Sequence, residues 1–346
     1  MQKKLSALVS VLAVGTSTIA LSASGAMAQS VELIFNNTLP PFNETYQVGI
    51  RDFAQDIIEE SQGDILVTIP DSALAPADRQ YEAVRDGIAD MAVMNISGIT
   101  QFVVLNGIGE LPYNAPTAEA GSVALWETYK EYFEEVGEWE GVRVLSTHVL
   151  PGRQILSVKA DLAPDEPSDL QGLRIWATST PLVAAAEGFG AVPMDTPYPE
   201  LQENVARGNL DAVFITPGSA DGAGIRPNVT HVTQIPGGLG TISFATIISE
   251  DKWNELTEDQ QNAILRAAEE LPRRAGEAND AGEVAVEDVF AQIPTTVAEG
   301  DGLAAFQTVM DEQVNDWIER AREAGLEDPQ AALDFYQSVL DRELAE

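Results

Sequence analysis

From Val31 onward the apolar positions alternate between two periods. Val31–Phe35 is a short apolar run that stops at the turn-forming Asn36-Asn37-Thr38-Leu39-Pro40-Pro41, which predicts an opening strand. From Phe42 to Glu60 the apolar residues Tyr46, Ile50, Phe53 and Ile57 recur at helical spacing, and Gln62-Gly63 stops the helix. Ile65–Ile69 alternates as a second strand, Ala77–Asp86 reads as a helix ended by Gly87, and Met91–Met94 is a third strand. A strand–helix–strand–helix–strand order predicts a parallel sheet covered by helices.

The pattern then continues. A loop ending Leu111-Pro112-Tyr113 leads to an amphipathic helix over Ala118–Val136, a strand over Val142–Val149, and another strand from Ile155. Gly172–Pro217 packs several elements into one stretch: Leu173, Ile175 and Trp176 flank Arg174 on a short strand. A helical run, a short strand, a second helix and the apolar run Ala212–Ile215 follow, the last ending in Thr216-Pro217. Thr241–Ser249 is β-rich, Thr257–Glu287 is mostly helical with Pro272 at a boundary, and Gln292–Val297 is a short strand. Helices over Gly302–Ala324 and Pro329–Leu344 close the chain. The segment from Val84 to Val93 echoes that from Val205 to Phe214: helix end, glycine, then an aspartate (Asp90, Asp211) leading into an apolar strand. Two similar α/β lobes explain the echo, and the chain is long enough that two cores are expected.

The N-terminus changes the compartment. Lys3 and Lys4 precede an apolar run from Leu5 to Leu21 and the small-residue sequence Ala26-Met27-Ala28, the layout of a secretory leader cleaved after Ala28. Without cysteine there is no lipid-anchor site, no disulfide framework and no thiol chemistry. The 55 acidic against 19 basic residues give a net charge of −36, which excludes nucleic acid and anionic membranes as partners and suits a salt-adapted surface. An anionic ligand therefore needs a local positive site within a repulsive field.

The sequence lacks HExxH, GxGxxG, GxSxG and Walker patterns. His148 and His231 are far apart and each lies beside apolar residues, which fits strand-edge histidines better than catalysis or metal binding. Asp71, Asp78 and Asp86 lack calcium-loop spacing. No metal or cofactor site is assigned. Arg174 is the first binding candidate, because a guanidinium among strand residues needs an anion, from the protein or from a ligand. Arg153, in Gly152-Arg153-Gln154 between two strands, is the second. Two arginines facing one pocket could grip a carboxylate; pairing with one of the many acids instead weighs as much as binding for Arg153 and less for Arg174, which lies inside an apolar strand. Tyr198 and Trp176 are either core aromatics or cleft walls, and Asn95 ends a strand at the edge where open sheets bind ligands.

In their order and spacing, several short segments resemble the DctP-type solute receptors of tripartite ATP-independent periplasmic (TRAP) transporters. They are Ser61-Gln62-Gly63-Asp64-Ile65, Gly87-Ile88-Ala89-Asp90, Leu111-Pro112-Tyr113, Gly152-Arg153-Gln154, Asp169–Arg174, Gly190-Ala191-Val192-Pro193 and Gly208-Asn209-Leu210-Asp211. The resemblance spans essentially the whole mature length. It implies a two-lobed fold of the periplasmic-binding-protein kind (type II-like), each lobe a mixed sheet flanked by helices, with hinge strands and a long shared helix. It also implies that Arg174 grips a carboxylate, that Arg153 adds a polar or ionic contact, that Tyr198 covers the ligand, and that Asn95 and Asn37 contribute from the first lobe. Many relatives carry Gln-Glu-Asn-Pro after the aspartate. Here Asp211 is followed by Ala-Val-Phe-Ile-Thr-Pro, so Phe214 adds apolar surface and Thr216 offers only a hydroxyl, which favours a small, partly apolar or aromatic acid over a sugar acid.

The resulting expectation is a receptor, not an enzyme, that captures an organic carboxylate in the periplasm and delivers it to the membrane subunits of a TRAP transporter. The leader is 1–28, the first lobe 29–150 with 241–280, and the second lobe 151–240 with 281–346 including the C-terminal helices. A receptor for a zwitterionic solute (an amino acid or compatible solute), a periplasmic hydrolase or lyase, and a solute-sensing interaction module are the competing readings.

Overall fold

The computed structural model describes residues 30–41 and 43–345, so the leader lies outside the described residues. Eleven strands among the described residues form two sheets. In chain order they are β1 Val31–Asn36, β2 Ile65–Thr68, β3 Met91–Asn95, β4 Val142–Val149, β5 Gln154–Ser157 and β6 Arg174–Trp176. Then follow β7 Val192–Met194, β8 Ala212–Ile215, β9 His231–Gln234, β10 Ser243–Ser249 and β11 Thr295–Val297. The first sheet runs β2-β1-β3-β10-β4 and the second β11-β9-β5-β8-β6-β7.

The opening strands are parallel, as the strand–helix alternation predicts. Each sheet becomes mixed where the chain crosses between lobes: β10 returns antiparallel to β3 and β4, and β5 lies antiparallel to β8 and β9. Both faces of each sheet are covered by buried apolar residues, so each lobe holds its own core. β9 and the short helix Pro217–Gly222 carry too few apolar residues for the sequence pattern to announce them.

The echo between the lobes has a definite structural meaning. The Asp90 carboxylate accepts the Ile34 backbone N–H at 2.7 Å, and the Asp90 N–H donates back to the Ile34 carbonyl at 3.0 Å. In the second lobe Asp211 accepts the Arg174 N–H at 2.9 Å and donates its own N–H to the Arg174 carbonyl at 2.8 Å. Each aspartate staples the start of one strand to the neighbouring parallel strand. The preceding glycines, Gly87 and Gly208, turn the chain at φ of 73° and 70°. Both staples therefore sit at the strand-entry edge of their sheet.

Helix Leu271–Phe290 is shared: it packs on helix Ala118–Thr128 of the first lobe and on helix Pro217–Gly222 of the second. The closing helices, expected with the second lobe, divide between the two. Helix Gly300–Glu323 buries Phe306 and Met310 in the second lobe's core, then Trp317 and Ala321 in the first's. Helix Pro329–Leu344 belongs with the first lobe. Its stripe Ala332, Tyr336, Val339 and Leu340 packs on helix Ala118–Thr128, and the buried Tyr336 hydroxyl donates to the carbonyls of Asn114 and Gly121.

The two chain crossings between lobes touch backbone to backbone. A Cβ on Gly238 (φ 82°) would lie 2.7 Å from the Gly152 Cα, and one on Gly240 would lie 2.6 Å from the Glu110 carbonyl oxygen. Only glycine permits that approach.

Candidate functional site

The exit edges of the two sheets face each other, and the chemistry collects there. β1 ends at Asn36-Asn37, β3 at Asn95, β6 at Trp176 and β8 at Ile215-Thr216. Arg153 joins them because β5 runs antiparallel to β8, with Gln154 opposite Ile215. A cleft of about 750 Å³ opens between the lobes, lined by Asn37, Leu39 and Tyr46 on one side and by Tyr198, Gln202 and Gly222 on the other.

Arg153 is the cation of this edge. Its residue surface is 2% exposed, and its guanidinium forms no ion pair among the described residues. Nη1 donates at 3.4 Å to the Phe214 carbonyl, while the buried Nε has no partner. The guanidinium carbon stands 5.8 Å from the ring centroid of Trp176. Burial lowers the Arg153 pKa from 12.5 to about 10, against the opposing pull of Tyr198, Glu283 and Glu110. Those acids are felt across space and lie beyond ion-pair distance. An arginine that is buried, charged and unpaired is costly, and the deficit is met if an anion binds.

Arg174 has a different environment. It begins β6 at the entry edge, and its Nε and Nη2 donate to the Asp211 carboxylate at 3.1 and 3.2 Å, with a further bond from Nη2 to the Gly208 carbonyl at 2.8 Å. Burial works against the Asp211 carboxylate, but the donors of Arg174 and the charge of Lys159 outweigh it and hold its pKa low. The protein thus supplies the anion that the sequence left unassigned, and the Arg174 side chain is 41% exposed.

Trp176 is 1% exposed and donates from Nε1 to the Thr196 carbonyl at 2.9 Å, so its ring forms the face under Arg153. Tyr198 lies 6.4 Å from that ring and borders the cleft, and its hydroxyl donates to the Ser219 carbonyl at 2.8 Å. Burial pushes the Tyr198 hydroxyl up to about 12. Phe214 departs from expectation: its ring turns into the core against Phe189, 6.2 Å away, and the site receives only its carbonyl. The Thr216 hydroxyl is engaged as well, donating to Glu283 Oε1 at 2.5 Å and accepting the Ser219 N–H at 3.2 Å.

On the first lobe, the Asn95 side chain accepts the Ser97 N–H at 2.8 Å, and Ser97 Oγ donates to Glu110 at 3.0 Å. Asn37 closes its own turn through two bonds to the Leu39 backbone while bordering the cleft. Asn95 is in register with Phe244, and Phe244 with His148, whose rings stack at 5.0 Å. Burial drops His148 to about 4, so the ring is neutral, with one polar contact of 3.4 Å to Thr45.

Sequence reasoning missed Glu110 and Glu283. Glu110 is fully buried, and Ser97 and Ser243 together direct three donors to its Oε1. Glu283 sits on the shared helix and accepts the Gly218 N–H at 2.8 Å. In a chain with 55 acidic residues neither has a local signal. The buried apolar frame of helix Leu271–Phe290 is the single hint that one helix face turns inward.

Residues 35–320 match the family model described as bacterial extracellular solute-binding protein, family 7. The chain is 29% identical over 314 residues to a protein of Comamonas testosteroni named outer membrane transporter protein TsaT, covering 90% of this chain and 92% of that one. A TRAP periplasmic solute-binding protein of Bordetella bronchiseptica, solved with bound (R)- and (S)-mandelate, superposes with a TM-score of 0.84. That pair is 25% identical, with 90% of this chain and 99% of that chain covered. A TRAP solute-binding protein of Rhodoferax ferrireducens with copurified benzoate shares the fold at a TM-score of 0.79 and 18% identity, covering 92% and 100% of the two chains.

Proposed function

The chain belongs to the bacterial extracellular solute-binding proteins of family 7, receptors rather than enzymes, and from that premise we propose how it works. It acts as the periplasmic receptor of a TRAP transporter. It captures an organic acid with an apolar or aromatic body and hands it to the membrane subunits. The observation that carries this reading is Arg153, a buried guanidinium without a carboxylate partner, lying over Trp176 at the exit edge of the second lobe's sheet.

The ligand carboxylate pairs with Arg153 through charge-assisted hydrogen bonds, which are strong in a water-poor site. Trp176 and Tyr198 supply apolar faces for the rest of the ligand, and Asn37 and Asn95 border it from the first lobe. Mandelate in the Bordetella bronchiseptica protein supports an aromatic acid here, because that molecule combines one carboxylate with one ring. Ligand contacts from both lobes favour the closed arrangement over the open one. The hinge that permits closure is the Gly152–Gly238 crossing.

Calorimetric titration with a panel of aromatic acids tests the reading. Arg153→Met should abolish binding, while Arg174→Gln should retain it within about threefold, since Arg174 neutralises Asp211 at the opposite edge. Loss of binding in the Arg174 variant with retention in the Arg153 variant would return the anchor to Arg174.

A further inference from the structure

Resting on the reading of the cleft as a carboxylate site, we propose that it accepts acids with a single negative charge and that Glu283 is the residue that turns dicarboxylates away. Among the described residues at this edge, Arg153 is the cation without an ion-pair partner. Arg174, the second one suggested by the sequence, is bound to Asp211 at the other edge of the sheet.

Three acidic residues surround Arg153 and Tyr198 from three different elements. Glu110 precedes Leu111-Pro112-Tyr113, Glu283 comes from the shared helix, and Glu44 begins the helix after β1. Glu110 and Glu283 act on Arg153 across space, and Glu44 acts on Tyr198. None of them forms an ion pair with Arg153, so the guanidinium stays free for a ligand. A first carboxylate is drawn to it. A second carboxylate on the same ligand enters the field of these acids, and no Lys or Arg among the described cleft-lining residues offsets them.

Glu283 is held through both of its carboxylate oxygens. Its Oε1 accepts from the Thr216 hydroxyl at 2.5 Å and its Oε2 from the Gly218 N–H at 2.8 Å. Swinging away from an incoming anion would break both bonds, so side-chain motion does not relieve the repulsion. Burial raises the Glu283 pKa and Asp280 adds to the rise, while the two donors and Arg153 favour the ionised form. Glu44 reinforces it from the neighbouring helix, since a Cβ on Gly282 would lie 3.4 Å from the Glu44 carboxylate. Two like charges roughly 8 Å apart at an effective dielectric near 20 repel enough to weaken binding about thirtyfold.

Calorimetric titration at pH 8 with matched pairs, benzoate against terephthalate and pentanoate against glutarate, tests this. The purified protein should bind one or both monoacids and hold the matching diacid at least about thirtyfold more weakly. Glu283→Gln should shrink that ratio by about the same factor, and Glu44→Gln by less. Circular dichroism checks that each variant is folded, and the Glu44 variant serves if the Glu283 variant is not. A diacid bound as tightly as its monoacid, or a ratio unmoved in every folded variant, overturns the proposal and leaves the carboxylate reading intact. Failure of every mono- and diacid to bind would instead overturn the carboxylate reading itself, and this inference with it.

Discussion

Replacing Arg153 by methionine separates a ligand anchor from a structural arginine, because the two roles predict opposite changes in stability. The guanidinium is 2% exposed and faces no carboxylate at ion-pair distance. Its pKa is lowered from 12.5 to about 10 by burial. That depression is worth about 3 kcal/mol against folding. The sign follows from proton binding. Below pH 10 the side chain is protonated in both folded and unfolded states, so the full penalty applies at neutral pH. It fades only as the pH climbs from about 10 towards 12.5, where the unfolded chain alone holds the proton. Methionine keeps much of the stem's volume and removes the charge. Loss of the contact over Trp176 costs about 1 kcal/mol, leaving a net gain of about 2 kcal/mol for the ligand-free protein. At about 2–4 °C per kcal/mol, the melting temperature should rise by at least about 4 °C. Ligand reverses the order. At a hundredfold excess over Kd the parent protein gains about 2.7 kcal/mol, and the variant gains nothing. Thermal denaturation with and without a bound aromatic acid reads both effects. A variant that is several degrees less stable without ligand, yet still shifted by it, would refute the reasoning, because Arg153 would then be a satisfied structural residue.

Three further outcomes follow from other parts of the molecule. Asp211→Asn weakens a half-exposed ion pair with Arg174 and should cost about 1 kcal/mol in urea denaturation while leaving ligand affinity unchanged; a parallel drop in affinity would mean that the entry edge of the sheet contributes to binding. His148 is neutral when folded, with a pKa lowered by burial to about 4 from 6.5. Its share of stability is present above pH 6.5 and is lost as the pH falls towards 4, by about 3 kcal/mol in all, so His148→Phe should flatten this part of the stability–pH profile. A profile equally steep in the variant would place the acid sensitivity elsewhere. Gly238→Ala forces a Cβ to 2.7 Å from the Gly152 Cα at a φ of 82°. The strain should cost at least about 2 kcal/mol and slow ligand capture in stopped-flow fluorescence; a variant as stable and as fast as the parent would show that the hinge backbone can give way.

What the sequence could and could not disclose follows from the range of each interaction. Strands β1 to β4 and the closing helices were legible because their apolar spacing is local and their ends carry glycine, proline or turn residues. The echo around Asp90 and Asp211 was legible as a pattern, and its role as a strand-entry staple needed only the pairing of neighbouring strands. The choice between Arg174 and Arg153 is of another kind. Arg174 stands among apolar strand residues and Arg153 between two strands, and sequence alone ranks Arg174 first. Arg174 precedes its strand's exit by two residues and so lies at the entry edge, level with Asp211, whose strand runs parallel to β6. Arg153 immediately precedes β5, but β5 is antiparallel to β8, and that reversal puts this end of the strand at the exit edge beside Ile215 and Thr216. Strand direction within a sheet is a long-range property, fixed by pairing across 60 or so positions of chain, as between Arg153 and Phe214. The same holds for Glu283, which reaches the site from a helix packed against both lobes. The parts of the site set by strand ends could be guessed residue by residue, whereas the charge balance, one unpaired cation among three carboxylates, exists only once the lobes are assembled. Ligand choice rests on that balance, so a single isosteric change at Glu283 should alter specificity more than any substitution in the segments that carry the family resemblance.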